Sequence, residues 1–228
     1  MQPKFSRLEK IIGESGLDKL KKSSVLILGC GGVGGYVAEG LARSGIGTLI
    51  LVDYDIIDES NINRQIIALE STVGKLKVDV LEDRIKDINN KCQVIKIADF
   101  IDNNNLDKLF EYEFDFIVDA CDTISTKKAL IEKCLLRKIK FISSMGTGNK
   151  LDPSKLEIVD IRKTVNDPLA RVIRKFINDK KIKDKVVVLS SKELPVKIHD
   201  RIPGSTAFVP SSAGLLIASY VVKNILEK

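Results

Sequence analysis

Ser24-Val-Leu-Ile-Leu28, running without a break into Gly29-Cys-Gly-Gly-Val-Gly34, is the stretch that decides the fold. Four consecutive apolar residues without alternation are the pattern of a short strand buried on both faces, as in a parallel sheet. Gly29-x-Gly31-x-x-Gly34 then joins that strand to a helix carrying Val37, Ala38, Leu41 and Ala42, which ends at Ser44-Gly45. Glycines at such a junction let the backbone approach a phosphate, and the helix N-terminus supplies N–H groups and a favourable dipole. A second buried strand, Thr48-Leu-Ile-Leu-Val52, ends in Asp53-Tyr-Asp55, which completes one βαβ unit.

Outward from this unit the alternation continues. Apolar residues at Leu76, Val80, Leu81, Ile85 and Ile88 predict a helix within 73–88, and Val94–Ile97 the next strand. Phe116–Asp119 reads as a strand, about 125–137 as a helix, and Lys140–Ser143 as a strand leading into Gly146-Thr-Gly148. The predicted class is α/β: a Rossmann-like, mostly parallel sheet with helices on both faces and a C-terminal elaboration. The chain reads as one domain over 1–228, with a helical arm at 1–22, a nucleotide-binding core at 23–148 and the elaboration at 149–228. In that last part a strand (156–161), a basic helix (168–178), a strand (186–189), a loop holding His199 and a final helix from about Ser211 are expected.

Composition places the charge. Lys and Arg number 37 against 31 Asp and Glu, a net +6, and 44% of the residues are apolar. Nine basic and three acidic residues lie between Arg162 and Lys185, so that one segment carries the whole excess. Leu169, Val172, Ile173, Phe176 and Ile177 recur at helical spacing there, which turns Arg171, Arg174 and Lys175 elsewhere. Phosphate backbones are the commonest large partner of such a patch, and with Phe176 on the apolar face the segment is suited to RNA backbone rather than to stacked bases. The four cysteines, Cys30, Cys92, Cys121 and Cys134, form no CxxC pair and read as free thiols. The N-terminus lacks the apolar region of a secretory signal, and the apolar run Ala213–Val222 is shorter than the ~20 residues that span a bilayer. A cytoplasmic protein with no membrane partner is expected.

Asp53 stands nineteen residues after Gly34, where a carboxylate bonds ribose hydroxyls. The pattern to this point suits NAD as well as ATP. Asn61-Ile-Asn63-Arg64-Gln65 and Gly74-Lys75-Leu76-Lys77 separate the two, because Arg64 and Lys77 are fixed cations suited to a triphosphate whose charge rises during displacement.

Gly29–Gly34, Leu51-Val-Asp53-Tyr-Asp55, Asn61–Gln65, Val73–Lys77 and Asp119-Ala-Cys-Asp122 together resemble the ubiquitin-activating superfamily of adenylating enzymes, over roughly the first two-thirds of the chain. Phe5-Ser-Arg7, Gly13-Glu14, Lys163-Thr164, Asp167-Pro-Leu-Ala-Arg171 and Pro210-Ser-Ser-Ala-Gly214 resemble one branch of it, the tRNA threonylcarbamoyladenosine dehydratases. That resemblance implies ATP and Mg²⁺, a tRNA substrate, a homodimer and a sulfur-relay protein beside which some members work. It assigns Gly29, Gly31, Gly32, Gly34, Asp53, Asp55, Asn61, Arg64 and Lys77 to the nucleotide. Arg64, Lys77, Asp122 and Arg7 are implied in catalysis, Asp122 also in holding the metal, with Arg7 implied to reach into the neighbouring subunit's site. The carrier-activating branches hold zinc between CxxC pairs, and many use a thioester cysteine. No cysteine follows Cys134 here, which excludes both on the C-terminal half. The alternatives of other kinds are a sulfur-carrier adenylyltransferase acting on a protein C-terminus and a non-catalytic nucleotide-binding module.

Overall fold

The computed structural model describes residues 3–200 and 202–227; the first two residues of the arm, together with Arg201 and Lys228, lie outside them. Helix α1 (Ser6–Lys22) precedes strand β1 (Ser24–Leu28), followed by α2 (Gly34–Arg43), β2 (Thr48–Val52), α3 (Lys77–Ile88), β3 (Gln93–Ile97) and β4 (Phe116–Asp119). The second half runs α4 (Ile124–Leu136), β5 (Phe141–Ser144), β6 (Leu156–Asp160), α5 (Pro168–Asp179), β7 (Val187–Ser191) and α6 (Phe208–Leu226). The strands form one sheet in the order β3-β2-β1-β4-β5-β7-β6. Every pairing is parallel except β6 with β7 at the edge. The expected class, mostly parallel with helices on both faces, is the observed one. One face is covered by α1, α2, α3 and α6 through Leu20, Val37, Leu81 and Ile217, the other by α4 and α5 through Leu130 and Ile173.

Close packing explains the glycines that matter. A Cβ on Gly34 would lie 1.7 Å from the Gly29 carbonyl oxygen, and one on Gly214 would lie 2.5 Å from that of Val33, so α2 begins tight against the turn and α6 lies directly on α2. Two boundaries differ from expectation. Gly74 takes φ 84° and Leu76 bridges to Ile56, so the chain turns through 73–76 and α3 starts only at Lys77. Helix α6 starts at Phe208 rather than Ser211, with Pro210 in its first turn, where a missing N–H costs nothing. The helix is therefore 19 residues long, enough by length and composition to cross a membrane. Its apolar face is nonetheless used inside the fold, where Val209, Ala213, Ile217, Val221 and Ile225 are buried in the core.

Candidate functional site

From β1 the chain builds outward through β2 to β3, then returns to lay β4 on the other side of β1. Such a reversal leaves a crevice beyond the carboxyl ends of the strands, where open α/β sheets bind ligands. A cavity of about 370 Å³ lies there. Gly29, Gly31, Gly32, Asp53, Asp55, Asn61, Arg64, Lys77 and Asp122 all line it. Two expected residues do not. Gly34 sits beneath the turn, packed on Gly29, so its part is to let the turn form rather than to touch a ligand. Arg7 is exposed on α1 and is not among the residues lining its own chain's cavity.

Asp53 ties the site together before any ligand arrives: its Oδ2 accepts the Cys30 N–H at 2.7 Å and its Oδ1 the Asp55 N–H at 2.9 Å. Lys77, the first residue of α3, is buried, with Nζ 2.7 Å from Asp55 Oδ2. Arg64 is steered by its own turn, where Nη1 donates to Ser60 O and Asn63 Oδ1, each at 2.9 Å. Asn61 is buried, and its Oδ1 accepts the Asp58 N–H at 3.2 Å, which closes the turn that carries Arg64. Gln65 is a site residue that the motif contained but to which no role was given. It is buried beside Gly31 on the cavity wall, and its Oε1 has no partner among the described residues. A polar residue inside the motif, next to the glycine turn, was the available signal.

Asp122 stands exposed at the cavity rim on a segment fixed from below. Asp119 and Lys127 form a fully buried ion pair at 2.8 Å; Lys127 Nζ also donates to Ser143 Oγ at 3.1 Å and Ser144 O at 3.0 Å. The other oxygen of Asp119 accepts the Cys121 N–H at 3.3 Å and the Cys121 thiol at 3.1 Å, holding Ala120-Cys121-Asp122 in place. Burial alone would pull the Lys127 ammonium down, but the facing Asp119 carboxylate outweighs it and the group is held charged. Burial pushes the thiols the other way. Cys121 and Cys30 are raised, with nearby Asp119 and Asp53 adding to the effect, Cys134 is pushed up to about 12 and Cys92 to about 11. None of the four is a thiolate at neutral pH, consistent with chemistry that needs no enzyme sulfur nucleophile.

A family profile described as the ThiF family matches residues 5–228. The chain belongs to the ThiF family. Among ThiF relatives, the tRNA threonylcarbamoyladenosine dehydratase of Bacillus subtilis is 44% identical over 244 aligned residues, covering 100% of this chain and 96% of that one. The Escherichia coli tRNA N6-threonylcarbamoyladenosine dehydratase in complex with AMP superimposes with a TM-score of 0.93 at 32% identity, over 98% of this chain and 94% of that chain. The same enzyme in complex with ATP gives 0.92 at the same identity and coverage. In this ThiF chain the basic segment is divided by its contacts. Arg174 is folded onto Thr164 (Nη1 to O 2.7 Å and to Oγ1 2.6 Å), Lys180 pairs with Glu132 at 3.0 Å, and Arg162 is spent on Asp160 and on the carbonyl oxygens of Ile182 and Asp184. The expectation that Arg174 faces outward is thereby corrected, since a hydrogen-bonding Thr164 draws it in. Arg171 and Lys175 are exposed on α5.

Proposed function

We infer that this chain is an ATP-dependent tRNA threonylcarbamoyladenosine dehydratase. The observation that carries the reading is the cavity at the β1/β4 crevice, where Asp53, Arg64, Lys77 and Asp122 converge in a chain matching the ATP-bound Escherichia coli enzyme over nearly its whole length. A free carboxylate is a poor electrophile because oxide would have to leave. The threonyl carboxylate of the modified adenosine therefore attacks the α-phosphorus of ATP, and pyrophosphate departs. The urea portion of the same base then closes on the activated carbonyl, and AMP leaves with the oxygen that the dehydration removes. Ring closure is intramolecular and needs no enzyme nucleophile.

Asp53 is placed for the ribose, the glycine turn for the phosphates, and Lys77 with Arg64 for the charge that grows as pyrophosphate leaves. The donor set suits Mg²⁺, which is held by one or two carboxylates together with substrate phosphates. Asp122, exposed at the rim, would supply the carboxylate, since Asp55 is committed to Lys77. When bound, the metal neutralises phosphate charge. Arg171 and Lys175 on α5 supply phosphate contacts for tRNA. A homodimer in which Arg7 enters the neighbouring site completes the reading.

Mass spectrometry of nucleosides from modified tRNA incubated with protein, ATP and Mg²⁺ tests it. The expected product is a nucleoside lighter by one water, formed only with ATP present. An unchanged nucleoside alongside adenylation of a carrier-protein C-terminus would replace this reading with the sulfur-carrier one.

A further inference from the structure

Among the described residues, four non-glycine residues have positive φ, and two of them are lysines at matching places: Lys138 (56°) just past α4 and Lys181 (54°) just past α5. This is the position where helices ordinarily place glycine, because a side chain in the left-handed region crowds its own backbone. A cation near a helix C-terminus gains from the dipole, but both helices already have one at the C-cap. Arg137 pairs there with Asp107 at 3.1 Å, and Lys180 pairs with Glu132. The two strained lysines add charge that the helix ends do not need.

Topology puts that charge in one place. Helices α4 and α5 lead into β5 and β7, which are parallel neighbours, so both lysines lie at the amino-terminal edge of the sheet. Lys183 and Lys185 lie in the same connection as Lys181. Lys185 lines a shallow cleft of about 350 Å³ together with Lys138 and Lys140. Among the described residues, Lys138, Lys181, Lys183 and Lys185 have no ion-pair partner. This edge is opposite the nucleotide cavity, and α5, 12 residues and about 18 Å long, runs between the two ends of the sheet.

We propose that this lysine edge binds the phosphates of the tRNA stem while the loop carrying the modified base occupies the cavity at the other end of the sheet. The proposal rests on the tRNA reading above. The exposed Arg171 and Lys175 on α5 lie between the two ends. A stem is rigid, regularly charged and joined directly to the loop, and it matches cations spread over a helix length better than a compact acidic ligand does.

The test is the double variant Lys138→Gly/Lys181→Gly, which removes two charges and relieves two strained backbones at once. Its melting temperature should equal or exceed that of the wild type. Affinity for intact tRNA should fall about tenfold at about 0.15 M salt, and the log-log salt slope should flatten by roughly 1.4–1.8, the value of two lost phosphate contacts. Binding of a stemless oligonucleotide of the loop sequence, and ATP binding measured by calorimetry without RNA, should be unchanged. Intact tRNA bound with wild-type affinity and slope overturns the stem proposal alone and leaves the edge to an acidic protein. An equal loss for both RNAs also overturns it. Failure of the wild type to bind either RNA would bring down the tRNA reading and this proposal together.

Discussion

Lys77 is a buried cation whose only ion-pair partner among the described residues is Asp55, itself half exposed to the cavity. That arrangement keeps a positive charge at the cavity wall without leaving it unpaired, since an unpaired buried ammonium would lose its proton or destabilise the fold. Arg64 is held differently, by a carbonyl and an amide oxygen of its own turn, and has no carboxylate partner among the described residues. Both should therefore act more strongly on departing pyrophosphate than on bound ATP. Lys77→Ala and Arg64→Ala are each expected to lower kcat by about 10²–10³, or roughly 2.7–4 kcal/mol, with a much smaller change in ATP affinity. Pyrophosphate exchange set beside calorimetry measures the two separately; a rise in KM with kcat unchanged would show that these cations serve only to bind. Arg64 and Lys77 were legible as cavity-lining cations because each lies in a contiguous motif. Gln65 stood in the same motif, but that its Oε1 is buried without a partner among the described residues shows only in three-dimensional packing.

Helix α2 is joined to α3 through Glu39, whose side chain is almost fully buried and accepts from Arg84 Nε at 2.7 Å and Arg43 Nε at 2.7 Å. Burial alone would raise the Glu39 carboxyl, yet the two guanidinium groups outweigh it and hold the group below its usual value of 4.5. A carboxyl depressed in the folded state stabilises above its unfolded pKa, and that contribution disappears as pH falls through the lower folded value. Glu39→Gln is expected to cost about 1.5–3 kcal/mol at neutral pH. In urea melts the gap from wild type should close well below pH about 4.5, and a gap independent of pH would assign the loss to packing instead. Most elements were legible from apolar runs, since β1, β2 and β4 are buried on both faces and leave no alternation to misread. The start of α3 was not, because Val73 and Leu76 fit a helical period while Gly74 at φ 84° turns the chain. The inward Arg174 was missed for a similar reason: helical spacing sets an angle around the axis, whereas Thr164, ten residues earlier, supplies the acceptors.

At the scale of the whole molecule, Arg7 separates the alternatives. It lies exposed on α1, outside the cavity of its own chain, although the arm is anchored: Phe5 is buried against Gly45, and Lys4 Nζ donates to Ile88 O at 3.2 Å. An anchored arm holds its arginine at a fixed place on the surface, outside the cavity of its own chain. Helix α6 leaves Phe208, Leu215 and Leu216 well exposed while its other face packs on α2, and a second copy covering those residues would bring the two chains together. In the homodimer proposed above, each site has Lys77 from one chain and Arg7 from the other. Arg7→Ala and Lys77→Ala proteins, each inactive alone, should then regain activity when mixed, because one of the two sites in a mixed dimer has both residues intact. With equal amounts and free exchange, about half of the dimers are mixed and carry one intact site each, so recovery should approach a quarter of the wild-type rate, by the statistics of a closed two-fold assembly. Exchange is followed independently by native mass spectrometry of size-tagged chains. Recovery that rises in step with the mixed species assigns Arg7 to the partner's site. Complete exchange with no recovered activity would place Arg7 in its own subunit's service or outside catalysis.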